Sequence, residues 1–148
     1  MKLAIAFMSF VSAFLLGFGL LAPTVSASEL ISHAPDNADV YIISPANGEI
    51  VPETFQVKFG LSGMGIAPAG IDKENTGHHH LLVDLQELPD LTTSLPATEH
   101  ILHFGGGQTE TTLTLSPGEH HLQLVLGNYA HVPYDRPVIS APITVTVK

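Results

Sequence analysis

From residue 40 to the C-terminus, apolar and polar positions alternate in short runs, broken at intervals by clusters of Gly, Pro, Asn and Ser. A period of two sends successive side chains to opposite faces of an extended chain, the mark of a half-buried strand. Residues 40–44 predict a first strand, stopped by the turn Pro45-Ala46-Asn47-Gly48. Phe55, Val57 and Phe59 alternate with Gln56 and Lys58 in a second. After a long Gly- and Pro-containing loop, a third strand carries His79, Leu81, Val83 and Leu85 on one face and His78, His80, Leu82 and Asp84 on the other. A loop marked by Pro89 and Pro96 leads to a short fourth strand over residues 101–104. Gly105-Gly106-Gly107 turns the chain into a fifth strand with Leu113 and Leu115 inward. Ser116-Pro117-Gly118 opens a sixth, which sets His120, Leu122, Leu124 and Leu126 against His121, Gln123 and Val125. Ile143, Val145 and Val147 alternate with threonines in the last. No stretch of residues 28–148 sustains a helical period. The pattern predicts an all-β chain, an immunoglobulin-like β-sandwich of about seven strands over residues 40–148.

The first 39 residues read differently. Met1 and Lys2 precede an apolar run from Leu3 to Leu21, Pro23 breaks it, and Val25-Ser26-Ala27 offers the small residues a signal peptidase reads. Residues 1–27 are therefore expected to be a cleaved signal peptide, with a retained membrane anchor as the competing reading. Residues 28–39 read as a flexible segment ahead of the domain. The expected location is the periplasm or the outside of a bacterial cell, with no stable membrane insertion once the leader is removed.

Composition narrows the chemistry. The formal charge is −9, from 14 acids against 5 bases, so the surface repels nucleic acid and anionic lipid and favours cations. With no cysteine, disulfides, thiol nucleophiles, thiolate ligands and a lipoprotein anchor are all excluded. A metal site would have to come from His, Asp, Glu and backbone oxygen. The chain has 9 histidines, and strand order decides where they go. In immunoglobulin order, the loops after the second, fourth and sixth strands share one end of the sandwich. His78, His79 and His80 start the third strand there, His103 finishes the fourth, Gln108 and Glu110 follow in its turn, and His131 and Asp135 lie in the last of these loops. His120 and His121 fall at the opposite end.

Imidazole is a common ligand for zinc and copper, and a carboxylate can complete the shell. His78 and His80, two apart on a strand, project the same way. The expected ligands are His78, His80, His103 and His131, with Glu110 as a further candidate. His79 faces the apolar set and reads as a core-edge histidine. His100 is poorly spaced to act with His103. His120 stands where sandwiches of this kind place a corner tyrosine, and His121 and Gln123 read as solvated. The competing reading for each histidine is a hydrogen bond that caps a strand. The triple glycine lacks the Lys-Ser/Thr of a phosphate loop and reads as a tight turn. No Gly-x-Ser-x-Gly elbow is present, so nothing favours an enzyme.

Several segments together carry a resemblance: Gly77-His78-His79-His80-Leu81-Leu82-Val83-Asp84, the run from His103 through Gly105-Gly106-Gly107 to Thr111, the run from Pro117 through His120-His121 to Gly127, and His131-Val132-Pro133. Over roughly residues 63–147 the chain resembles the bacterial exported family of domain of unknown function 4399. The resemblance implies a signal peptide and one such domain, and no established activity, substrate or cofactor. A second histidine often follows the family's His-x-Pro element. Tyr134 stands there, which would weaken the site if that histidine were a ligand in relatives. The function expected is an exported module that binds copper(II) or zinc for storage, delivery or sensing. The alternative is a non-metal structural or interaction domain of the cell envelope, with a protein or glycan as partner.

Overall fold

The computed structural model describes residues 30–148. The expected signal peptide lies outside the described residues. Nine strands are present among them: β1 (Asp39–Ser44), β2 (Glu49–Val51), β3 (Thr54–Ser62), β4 (Gly65–Ile66), β5 (Thr76–Val83), β6 (Ile101–His103), β7 (Glu110–Thr114), β8 (Gly118–Gly127) and β9 (Ile143–Val147). They form two sheets. One has the order β1-β3-β7; the other runs β2-β9-β8-β5-β4, with β6 also paired to β5. The seven expected strands are β1, β3, β5, β6, β7, β8 and β9, and the first, second and fifth of them make one sheet while the others make the second. This is the immunoglobulin-like sandwich. The two strands not anticipated are short and pair parallel, β2 with β9 and β4 with β5. Three residues are too few for a period of two to be recognised.

The core follows the alternation. Val40, Phe55, Val57 and Phe59 from the small sheet meet Leu81, Val83, Leu122, Leu124, Leu126 and Val145 from the large one. The outer face of the large sheet is not left to solvent. Leu82 and Val125 form a second cluster there with Leu95 and Ile101, flanked by Leu85, Leu91 and Ile139 from the covering loops. Strand β5 is therefore buried on both faces, and every residue from Gly77 to Val83 is buried. A strand covered on both sides can hold histidines away from water on the face opposite the core.

The N-terminal segment contacts the domain where it is described. Ala34 is fully buried in the main core. The Asp135 amide donates to the Ser32 carbonyl at 3.0 Å, and His33 Nδ1 meets Asp135 Oδ2 at 2.7 Å. The local sequence lacks a two-residue alternation, and its hydrogen-bond partners lie about a hundred residues away. No helix among the described residues is long and apolar enough to cross a membrane.

Candidate metal centre

The site grows from the pleat of β5. His78 and His80 share its outer face with Leu82, while His79 points into the core, where its ring packs on Phe59 at 5.1 Å and its Nδ1 donates to the Gln108 carbonyl at 3.3 Å. Strand β6 pairs antiparallel with β5 in the register that sets His103 opposite His80. On the other flank, β8 places Gly127 opposite His78, and the chain beyond it folds back to deliver His131. Three segments distant in sequence thus converge on one patch of the large sheet, at the end from which the loops after β3, β6 and β8 emerge.

The four imidazoles pack together. Ring centroids of His78 lie 4.8 Å from His80, 5.0 Å from His103 and 5.0 Å from His131, and His103 and His131 are 4.6 Å apart. One nitrogen from each falls within 4.8 Å of those of the other three. His78 Nε2 and His131 Nδ1 are 3.3 Å apart. Zinc–imidazole bonds of about 2.0–2.1 Å in a tetrahedron imply nitrogen–nitrogen edges of about 3.3–3.4 Å, so that pair already has the required spacing. The set can hold a metal ion.

Burial is graded across the group. His78 and His80 are inaccessible, His131 is half-buried and His103 is exposed. Two glycines make the room. A Cβ on Gly127 would lie 2.7 Å from His80 Cε1, and one on Gly105 would lie 2.3 Å from His103 Cε1. Both rings therefore rest on bare backbone. Gly105 reads from sequence only as a turn residue, and Gly127 carries no local signature of this contact.

Electrostatics favour neutral rings. Burial, followed by the neighbouring His131 and His103, pushes His78 down to about 4. Burial, followed by His78, His103 and His131, pushes His80 down to about 3. His103 is lowered as well, by burial and then by His131. At neutral pH the free lone pairs that metal ligation needs are present. Of the four ring nitrogens of the buried pair, His78 Nε2 faces His131 Nδ1, while His78 Nδ1 and both nitrogens of His80 are buried without a hydrogen bond. Such orphans cost about 1–3 kcal/mol each, and a cation in the cluster would engage one nitrogen of each ring.

The remaining expected residues are accounted for elsewhere. Glu110 is not in the group. It opens β7 opposite Lys58, exposed in the small sheet, because the turn after β6 carries the chain from one sheet to the other. Gln108 Oε1 accepts from the Gly106 amide at 2.9 Å, and Asp135 is occupied by His33. His100 donates through Nδ1 to the Val83 carbonyl at 2.9 Å. His120 takes the corner position: Nδ1 meets Asp84 Oδ2 at 2.7 Å and Nε2 donates to the Ser116 carbonyl at 2.8 Å. Two acceptors suit an imidazolium, and its pKa is raised accordingly, chiefly by the hydrogen bond to Asp84. Tyr134 is buried in the main core and donates to the Thr76 carbonyl at 2.6 Å.

No curated protein matches the sequence. Among solved structures, an endo-beta-1,4-mannanase from Thermotoga petrophila is similar at 18% identity and a TM-score of 0.45, over 75% of this chain and 20% of that one. The chain thus spans about a fifth of that enzyme's length. The model of the family described as domain of unknown function (DUF4399) matches residues 57–148, which include β5, β6, the triple glycine, β8 and all four clustered histidines. The chain belongs to the DUF4399 family.

Proposed function

We propose that this protein is an exported module that binds one divalent transition metal, copper(II) or zinc, through His78, His80, His103 and His131. The observation that carries this reading is the pair of inaccessible histidines, three of whose four ring nitrogens have no partner, within a group whose four candidate donor atoms lie within 4.8 Å of one another. An all-nitrogen donor set suits zinc, copper and nickel and does not suit calcium or magnesium, which take oxygen. The absence of cysteine removes thiolate, and no methionine is in the four-histidine group, so the set lacks the soft ligands that select cuprous copper. Export rests on the sequence of residues 1–27. The graded burial supports storage or delivery over catalysis, because exposed His103 offers a route for exchange while His78 and His80 hold the ion.

Metal analysis of untagged protein purified from the cell envelope tests the proposal. About one equivalent of zinc or copper per chain is expected. Protein that arrives metal-free and binds neither ion at micromolar concentration would leave the envelope interaction domain as the better reading.

A further inference from the structure

His131 differs from the other three histidines of the group. His78, His80 and His103 sit on paired strands, whose register fixes them. His131 sits in a loop, with its backbone in the left-handed region at φ 65°, a conformation uncommon for a residue other than glycine and held only where the surroundings impose it.

Asn128 is at the centre of those surroundings. It is 1% exposed. Its Oδ1 accepts from the amides of Ala130 and Val132 at 2.9 and 3.1 Å. Its carbonyl accepts from the His131 amide at 2.9 Å, and its own amide donates to the Val132 carbonyl at 2.9 Å. These bonds close the loop around His131. Its Nδ2 then reaches out of the loop, donating to the Leu30 carbonyl at 2.6 Å and to Ser32 Oγ at 2.9 Å. Both protons of a buried amide are satisfied by the N-terminal segment, which is itself pinned by Asp135. Without the strap, Asn128 Nδ2 loses both of its protein partners, and the side chain that closes the loop is no longer held from behind.

We infer that Asn128 is a positioning residue for the metal centre, and that residues 30–32 complete the centre by engaging its side chain. The inference rests on the metal-binding reading above. It makes the N-terminal segment a working part of the site, with no atom of it among the ligands. Changes in groups that hold metal ligands from behind cost roughly 10- to 100-fold in metal affinity, and that is the loss expected here.

The test uses the full chain and Zn²⁺ or Cu²⁺ alone as probe. Asn128→Asp keeps an oxygen for Ala130 and Val132 and turns a second oxygen toward the Leu30 carbonyl. Its zinc affinity should fall roughly 10- to 100-fold, and its copper(II) electron paramagnetic resonance spectrum should shift toward that of His131→Ala. Ser32→Ala, a gentler change that keeps Asn128, should move both readouts in the same direction by less, and it serves if Asn128→Asp does not fold. Ser140→Ala is the control. Ser140 is also buried, and its Oγ accepts from the Leu124 amide at 2.9 Å, so it imposes a comparable polar loss and should leave both readouts unchanged. Wild-type protein that binds metal while Asn128→Asp and Ser32→Ala bind as tightly, with unchanged spectra, overturns the positioning role alone. Wild-type protein that binds neither ion overturns the metal reading, and this inference with it.

Discussion

At the scale of single residues, the site depends on two bare stretches of backbone as much as on four rings. His80 is enclosed, so a methyl group on Gly127 has no easy displacement to exploit. Gly127→Ala should destabilise the fold by about 1–3 kcal/mol, the usual range for overpacking, and should weaken metal binding together with stability. His103 is exposed, and its ring can swing away from a methyl on Gly105. Gly105→Ala should therefore leave the denaturation midpoint nearly unchanged while lowering metal affinity. Urea denaturation and zinc titration of the two variants would separate these effects. Equal stability losses would mean that His103 is held as tightly as His80.

At the scale of elements, strand β5 shows what alternation can reveal. The period of two divided His79, Leu81 and Val83 from His78, His80 and Leu82, and the core contacts follow that division. Strand order then brought the ends of β5 and β6 and the loop after β8 together, because immunoglobulin connectivity leaves little choice about which loops are neighbours. The register that puts His103 beside His80 depends on pairing between distant segments and has no local signature. The same holds for Glu110, whose sheet has no local signature, and for residues 30–38, which are tied to Asn128 and Asp135 and pack Ala34 into the core. At the corner before β8, His120 replaces an aromatic hydroxyl with a ring that meets acceptors at both nitrogens. His120→Phe removes a charge-assisted hydrogen bond and should cost about 1.5–3 kcal/mol while leaving metal affinity intact. A large loss of affinity in folded His120→Phe protein would show that the two ends of the sandwich are coupled.

At the scale of the whole molecule, pH acts through histidines shifted in opposite directions. His78 and His80 have folded values near 4 and 3, below the unfolded value of about 6.5. The unfolded chain therefore binds more protons over that interval. Their contribution to stability is complete above pH 6.5 and is lost as pH falls toward 4. His120 is raised; its contribution is complete below pH 6.5 and is lost as pH rises through its folded value. The buried pair dominates in acid, so the midpoint of urea denaturation of metal-free protein should fall between pH 7 and pH 4.5. An unchanged midpoint would contradict the burial of neutral rings. Bound metal should raise the pH 7 midpoint, since an ion that binds only the folded state stabilises it by mass action. The central claim, that four histidines from three segments hold one ion, is tested most directly by calorimetric titration of zinc into wild-type protein and into the alanine variants of His78, His80, His103, His131 and His121. The account predicts one site per chain, a large loss for each of the first four and no change for His121→Ala, at the far end of the sandwich. It would be contradicted if folded His121→Ala lost as much affinity as His103→Ala, or if the first four variants bound zinc as tightly as the wild type.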